Sequence, residues 1–214
     1  MGTTMTKTMM KKTLAFTVMM LGALSISGQA DASAKKSQAP AAGVYDVDAM
    51  HSKVGFEIPH LVISTVEGRF TQMSGELQIA ENFSKSSVSA SVDMKTVDTA
   101  VKDRDDHLRS ADFFDVEKHP KMSFKSTAIQ GSAQKFKLVG DLTIKGVTKK
   151  VSFDAQYLGS AADAYGNLKA AFKATAKINR KDFGLTWSKM VEVGPVVGGE
   201  VTLTLNIQAA QRKK

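Results

Sequence analysis

Apolar and polar residues alternate along most of this chain from Val44 onward. Successive side chains of a β-strand point to opposite faces, so this period of two predicts strands with one apolar face each. Lys145-Gly146 predicts a two-residue hairpin turn between two of the runs. With two N-terminal runs and the run after Pro120, the pattern predicts about eight strands. The apolar positions of the clearest runs are Val88, Ala90, Val92 and Met94; Phe136, Leu138, Leu142 and Ile144; Val151, Phe153, Ala155 and Tyr157; Phe172, Ala174, Ala176 and Ile178; and Val201, Leu203, Leu205 and Ile207.

Strands with one apolar and one polar face predict an antiparallel sheet that closes on its apolar side. Either two sheets pack as a sandwich or one sheet rolls into a barrel, and the pattern alone does not separate these folds. The inward positions mix Phe and Leu with alanines at 90, 155, 174 and 176. Small residues here either leave room for a ligand or allow close packing.

Residues 98–126 contain a segment that does not fit a strand. Val101 and Leu108 lie two helical turns apart on one face, and three oppositely charged pairs have the i,i+4 spacing of a helix. These pairs are Lys102–Asp106, Asp103–His107 and Asp105–Arg109. We expect Asp98 or Thr99 to cap the start of this helix.

Two adjacent aromatic residues, Phe113 and Phe114, follow the predicted helix directly. Pro120 then favours an extended entry into the next strand, Met122–Thr127. A single helix that ends in two aromatics, within an otherwise all-β chain, suggests a barrel with a lid or plug. A covered barrel mouth in turn suggests a ligand.

The sequence RDDHLRSADFFDVEKHP resembles the signature of the YceI-like family, the lipid- or polyisoprenoid-binding proteins of the bacterial periplasm. Three further segments agree with the family in the same order: DAMHSKVGFEIPHLVISTVEGRF, LVGDLTIKGVTKKVSF and INRKDFGLTW. Together they span roughly Val44 to Ala209. Pro59 in the first strand, and Val62 where a glycine would be expected, depart from the family pattern. The resemblance implies an all-β, eight-stranded antiparallel lipocalin-like β-barrel with one short helix and a double-Phe turn between strands.

The first 30 residues have the three parts of a secretory signal peptide. They are a basic region with Lys7, Lys11 and Lys12, an apolar run from Leu14 to Ile26, and the small-residue site Gly28-Gln29-Ala30. We therefore expect residues 1–30 to be a signal peptide, cleaved after Ala30 or Ala32, and the mature protein to reach the periplasm. Residues 31–42 are small and polar and predict a disordered tether. Residues 43–211 then form the YceI-like lipid-binding domain.

The remaining composition excludes several classes of function. The predicted leader carries three lysines and no acidic residue, so the formal charge falls from +8 to +5, and the other lysines are too scattered for a nucleic-acid patch. The four histidines, at 51, 60, 107 and 119, do not have metal-site spacing. No GxSxG motif occurs and the chain has no Cys. We expect no metal, no cofactor and no catalytic residue.

The residues expected to meet a ligand follow from the inward alternation and from the resemblance. Arg104 and Arg109 either pin the helix against the barrel rim or meet a polar headgroup, because guanidinium pairs well with oxyanions. Trp187, in the loop after Asp182-Phe183-Gly184, lies either at the mouth or in ordinary loop packing. The apolar candidates are Phe56, Ile58, Phe70, Val92, Met94, Leu108, Phe113, Phe114, Phe124, Phe136, Leu138, Leu142, Phe153, Phe172, Ala174, Trp187 and Leu203.

The sequence and the resemblance together predict a periplasmic, non-enzymatic carrier or storage protein. Its barrel would hold a long-chain amphiphile: a polyisoprenoid, an isoprenoid quinone or a polyprenyl diphosphate, as the resemblance implies. Two alternatives stay open. One is a stress-induced periplasmic interaction protein with an incidental, filled cavity. The other is an enzyme acting on isoprenoid lipids, which would need convergent polar side chains inside the lumen.

Overall fold

The computed structural model describes residues 39–213, which form thirteen strands and one α-helix. The predicted signal peptide and most of the predicted tether lie outside the described residues. The helix, α1, spans Lys102–Arg109, and short 3-10 turns lie at Ala49–His51, Phe83–Lys85, Met94–Thr96 and Arg180–Phe183. The strands are β1 (Gly43–Val47), β2 (Lys53–His60), β3 (Ser64–Phe70), β4 (Met73–Ile79), β5 (Ser87–Asp93), β6 (Val97–Asp98), β7 (Lys121–Ser132), β8 (Lys135–Ile144), β9 (Val147–Ala162), β10 (Leu168–Asn179), β11 (Met190–Val191), β12 (Gly194–Pro195) and β13 (Glu200–Gln211).

Eight of these strands close into an antiparallel barrel, which confirms the predicted fold. They follow one another in the order β1-β4-β5-β7-β8-β9-β10-β13, and β13 pairs back onto β1. The closing ladder joins Tyr45 to Gln211 and Val47 to Ala209. Because the barrel is closed, each of these eight strands has a paired neighbour on both sides over at least part of its length. Closure also turns the apolar face of each strand inward.

The N-terminal part of the wall contains four strands where the sequence pattern indicated two runs, because short turns interrupt each run. The turn at Ala49–His51 separates β1 from β2, and β2 pairs with the first half of β13 while β1 pairs with its end. In the same way β3 continues as β4, and the turn at Met94–Thr96 separates β5 from β6. The result is that β2, β3 and β6 extend the wall beyond the closed ring at one end.

The extended end of the barrel, called here the helix end, carries α1. It also holds the β2–β3 and β8–β9 turns and the long connection from β10 to β13. The opposite end, called the far end, holds the β7–β8 and β9–β10 turns. There the described part of the predicted tether, residues 39–42, is fixed: the Tyr45 hydroxyl donates to the Ala41 carbonyl and the Gln211 side chain to the Ala42 carbonyl.

Two turns at the helix end have left-handed backbone. The predicted Lys145-Gly146 turn is present, with φ of 48° and 76°, as a tight hairpin between twisted strands requires. The β2–β3 turn also has positive φ, 51° at Leu61 and 66° at Val62, without any glycine. A left-handed residue with a Cβ costs roughly 1–2 kcal/mol, so the missing glycine leaves a strained turn.

The helix is present, but its predicted details need correction. Its N-cap is Val101, which makes no capping hydrogen bond and is 46% exposed, so neither Asp98 nor Thr99 caps it and Val101 is not on a buried face. Lys102 does pair with Asp106. The other two predicted pairs are wrong, because Asp105 accepts from Thr99 and the two basic residues have other partners. His107 pairs with Asp112, which follows the helix, and Arg109 pairs with Asp106 one helical turn before it.

Candidate functional site

The interior of the barrel is open rather than filled. A cavity of about 260 Å³ lies at the helix end and one of about 140 Å³ toward the far end. One water needs only about 10–15 Å³ of such space, so each cavity has room for a much larger group. Met122 and Leu203 line both cavities, so the two cavities adjoin at these residues inside the barrel.

The small inward residues make much of the far-end cavity. Ala90, Ala155 and Ala174 line it, and Ala174 pairs across the sheet with Ala155. Ala176 is buried but does not line it. The sequence left open whether these alanines leave space or allow close packing. Three of the four positions leave space, and the fourth, Ala176, serves close packing.

The start of α1 is anchored by a buried network around Thr99. Asp105, only 8% exposed, accepts hydrogen bonds from the backbone N–H and the hydroxyl of Thr99. Arg104 donates from Nε to Thr99 Oγ1 and from Nη2 to the Thr99 carbonyl, both at 2.8 Å. No other hydrogen bond of Arg104 is formed within residues 39–213, and its side chain lines the helix-end cavity. Nη1 is thus available to a ligand.

Arg109 is bound by protein groups at every guanidinium nitrogen. Its Nε donates to the Lys95 carbonyl at 2.8 Å, its Nη2 to the Val97 carbonyl at 3.0 Å, and its Nη1 to Asp106 at 2.8 Å. These bonds use all three guanidinium nitrogens to hold the end of α1 to the chain between β5 and β6. Arg109 does not line either cavity, so the structure favours the anchoring of α1 over the predicted contact with a headgroup.

An aromatic cluster covers the helix-end cavity. The His107 ring stands edge-on to both Phe113 and Trp187, with ring centroids 5.0 and 4.8 Å apart, and Phe113 lies 5.2 Å from Trp187. The Asp112 carboxylate accepts a hydrogen bond from His107 Nε2 at 2.9 Å. The cluster joins the double-Phe turn to the β10–β13 connection, so Trp187 lies at the mouth rather than in ordinary loop packing.

Arg180 fixes the other side of this mouth. It is 2% exposed and donates to the backbone carbonyls of Leu185, Val197 and Gly198. Burial lowers the pKa of the guanidinium, since the charged form loses hydration. No carboxylate pairs with it in the described part of the chain, and three carbonyl dipoles stabilise its charge instead. The β10–β13 connection is thereby held against the barrel.

The two cavities differ in the charge of their linings. Arg104, Arg180, His60 and His107 line the helix-end cavity, and no Asp or Glu does. At the far end the only charged lining residue is Lys173, and its side chain is exposed on the outer face of β10. The arginine and histidine side chains of the lining are therefore concentrated at the mouth, and the rest of the wall is apolar apart from Ser74, Ser91, Ser123 and the outward-facing Lys173.

Comparison with known proteins decides the family. Residues 45–209 match the YceI-like domain. The chain belongs to the YceI-like family. It is 34% identical over 206 residues to a UPF0312 protein of Pectobacterium carotovorum, a match that covers 96% of this chain and 100% of that protein.

Solved structures agree with this YceI-like fold. The YceI protein of Campylobacter jejuni is 30% identical, with a TM-score of 0.63 over 78% of this chain and 96% of that one. A polyisoprenoid binding domain from Saccharophagus degradans is 14% identical, with a TM-score of 0.61 over 78% of this chain and 98% of that one. At that identity the second likeness shows the fold alone.

The YceI-like barrel brings nearly all predicted site residues to the lumen. Eight line the far-end cavity alone: Val92, Phe124, Phe136, Leu138, Leu142, Phe153, Phe172 and Ala174. Nine line the helix-end cavity alone: Phe56, Ile58, Phe70, Met94, Arg104, Leu108, Phe113, Phe114 and Trp187. Leu203 lines both, and Arg109 lines neither. Whether these residues bind a ligand stays a prediction.

Sequence reasoning missed three polar residues of this site. His107 was expected to pair with Asp103 but stacks in the aromatic cluster, and His60 lines the helix-end cavity from the end of β2. Arg180 lies within the INRKDFGLTW segment, which was the only available signal for it. Within the described residues, no three His, Asp or Glu side chains converge as a metal site would require, and no helix is long and apolar enough to cross a membrane.

Proposed function

We propose that this YceI-like protein is a periplasmic, non-enzymatic carrier or storage protein for a long-chain amphiphile held in the barrel lumen. The observation that carries the proposal is the pair of adjoining, mainly apolar cavities inside the barrel, one at the aromatic-lined mouth and one toward the far end. The likeness to a solved polyisoprenoid binding domain supports a polyisoprenoid, such as an isoprenoid quinone or a polyprenyl diphosphate, as the ligand class.

The apolar wall supplies enough free energy for such binding. Each methylene removed from water contributes about 0.8 kcal/mol, so roughly fifteen would contribute about 12 kcal/mol. Association and ordering cost several kcal/mol, which leaves an affinity between micromolar and nanomolar. Binding of this kind selects the length and shape of the chain more strongly than its chemistry.

The charge of the lining orients the amphiphile. Its apolar chain enters toward the far end, where the wall has no charged side chain directed inward. Its polar head stays at the mouth, near Arg104 Nη1, His60 and His107. A guanidinium beside the head favours an oxyanion or a polarised carbonyl oxygen over an uncharged alkyl end. The head is therefore recognised by Arg104 and not by Arg109.

The lumen also bears on the two alternatives. An interaction protein with an incidental cavity predicts a filled barrel, whereas the cavities of about 260 and 140 Å³ support a carrier. An enzyme acting on the lipid chain predicts convergent polar side chains within the lumen. Among the described lining residues the arginines and histidines stand at the mouth, and the far-end cavity adds only Ser74, Ser91, Ser123 and the outward-facing Lys173, which supports recognition of a head rather than chemistry along the chain.

A chain-length series tests the proposal. Delipidated protein is titrated with isoprenoid quinones of one ring structure and increasing side-chain length, and binding is followed by Trp187 fluorescence. We expect the affinity to rise with each isoprene unit until the lumen is full and then to level off. An affinity that does not depend on chain length would contradict an apolar lumen site.

Export is proposed from the leader and is tested separately. N-terminal sequencing of protein recovered from the periplasmic fraction should begin at Asp31 or Ser33, since cleavage is expected after Ala30 or Ala32. Mature protein that keeps the Leu14–Ile26 segment would contradict a carrier released into the periplasm.

A further inference from the structure

Two turns beside the cavity mouth expose large apolar side chains. In the β2–β3 turn, Val62 is 64% exposed and Ile63 82%. In the β11–β12 hairpin, Met190 is 74% and Val193 62% exposed. These residues, with Val191 between them, are called the apolar rim.

The two turns of the apolar rim lie side by side. The Leu61 N–H donates to the Val196 carbonyl at 3.0 Å, and His60 forms a β-bridge with Val197. Val62 Cγ2 lies 3.2 Å from the position that a Cβ on Gly194 would occupy. The exposed side chains therefore form one contiguous patch rather than two separate ones, and contiguous apolar patches mark interaction sites.

The apolar rim borders the opening of the lumen directly. His60 and Val66, on either side of the β2–β3 turn, line the helix-end cavity. Trp187 and Val196, on either side of the β11–β12 hairpin, line it as well. Each segment thus leaves the cavity wall, exposes its apolar tip and returns to the wall, so a surface touching the rim also meets the mouth.

The β2–β3 turn keeps its apolar residues at a conformational cost. Val62 has φ of 66° and Leu61 has φ of 51°, a region that Asn and Gly occupy with little strain and β-branched residues avoid. Exposure of Val62 adds a second cost, because its side chain gains nothing from burial in the fold. Strain that the fold does not need is characteristic of functional sites.

We propose that the apolar rim inserts into a lipid bilayer surface and docks the mouth of the barrel onto it. This rests on the proposed function, because a long-chain amphiphile then passes between bilayer and lumen without crossing water. The charged residues of the hairpin, Lys189 and Glu192, have opposite signs, so insertion depends on apolar contact and little on lipid charge. Two protruding apolar turns around an opening fit a deformable lipid surface better than the flat, packed face of a protein partner.

Three variants of the purified mature protein, which begins after the predicted signal peptide, test the docking. The first, Ile63→Asp with Met190→Asp, places a charge on each turn of the rim. The second, Val62→Asn, removes one apolar side chain and relieves the left-handed strain. The matched control is Tyr165→Asp, because Tyr165 is 86% exposed but lies in the β9–β10 turn at the far end.

Binding is measured by co-sedimentation with phosphatidylcholine vesicles at low and high salt. We expect the double variant to lose at least tenfold in partition coefficient, since each rim side chain leaves the apolar boundary and a charge replaces it. Val62→Asn should lose severalfold while its melting temperature stays equal or rises, which excludes unfolding as the cause. Tyr165→Asp should change binding less than twofold, and salt should have little effect.

A label gives an independent readout, because the chain has no Cys. An environment-sensitive dye on Ile63→Cys should shift to the blue with vesicles, and the same dye on Tyr165→Cys should not. Equal shifts at both sites, no vesicle binding by the unchanged protein, or self-association through the rim in place of vesicle binding would each overturn the docking. Lipid extracted from the same protein separates the two proposals: lipid in the lumen without vesicle binding overturns docking alone, and vesicle binding with an empty lumen overturns the carrier alone.

Discussion

Replacing Ala174 by Phe should occlude the far-end part of the lumen. Ala174 lies beside Ala155 on the cavity wall, and the cavity there measures about 140 Å³. A dry cavity of about 150 Å³ accepts a benzene molecule, so the added phenyl ring fits without displacing the wall. Because the ring fills existing space, the fold should survive the substitution.

The structure sets the size of both effects. A phenyl ring excludes about six methylenes of ligand, or roughly 5 kcal/mol of gross binding free energy at about 0.8 kcal/mol each. The ring itself gains burial, so we expect a melting temperature that is unchanged or higher. If Ala174 were tightly packed core, overpacking would cost about 1–3 kcal/mol, and each kcal/mol lowers the melting temperature by about 2–4 °C in a domain of this size.

Ala170→Phe is the matched control. Ala170 is on the same strand and face as Ala174, but it is 1% exposed and does not line the cavity. Its melting temperature should fall while ligand affinity changes little. The assay pairs thermal denaturation with titration of a long-chain isoprenoid quinone on all three proteins. A destabilised Ala174→Phe protein with undiminished affinity would refute a lumen site.

Three further changes probe the mouth and the fold. Phe113→Ala removes one ring beside His107 and should quicken ligand release in stopped-flow exchange, at a cost of up to about 3–5 kcal/mol in stability; unchanged release rates would argue against a gate. Arg104→Ala should weaken a polyprenyl diphosphate but not an uncharged chain of equal length, whereas Arg109→Ala should affect both equally; calorimetry decides, and equal losses for Arg104→Ala would assign it to anchoring alone. Burial favours protonated Asp48, yet hydrogen bonds from Lys169 and His51 hold its pKa at about 2. The stabilisation that ionised Asp48 contributes is therefore present above about pH 4 and lost as the pH falls toward 2. Asp48→Asn should lower the free energy of unfolding at about pH 7 and flatten its decrease at acid pH, as measured by denaturant titrations. An unaltered acid transition would exclude this contribution.

The barrel was predictable from the sequence because burial on one face leaves a direct trace. Along β8, positions Phe136, Leu138, Leu142 and Ile144 are buried and alternate with less buried neighbours, as the period of two indicates. The helix and the double-Phe turn were predictable from the charged segment that interrupts this pattern. The same alternation placed most of the apolar lumen residues correctly.

The polar contacts at the mouth were not predictable in this way. His107 has an i,i+4 partner at Asp103 by spacing, but Asp112 and the distant Trp187 hold its ring instead. Asp105 turns inward because Thr99 offers it two donors, which no helical periodicity shows. Such contacts depend on which loops meet in three dimensions, whereas periodicity reports only the face of an element.

The space inside the barrel was also undetermined by sequence. The alternation of apolar and polar residues is the same whether the alanines at 90, 155, 174 and 176 leave a void or pack closely. The structure separates them by position, since Ala176 is packed while the other three line a cavity. The volume of the cavity depends on how the side chains of several strands pack together, and the pattern of one strand does not determine it.

Lipid extraction and mass spectrometry of the protein purified from its native host test the central claim most directly. The account predicts a bound long-chain amphiphile of isoprenoid type, close to one per protein and reduced or shortened in Ala174→Phe. Protein that is isolated under mild conditions without any long-chain lipid, and that takes none up from added isoprenoids, would contradict it.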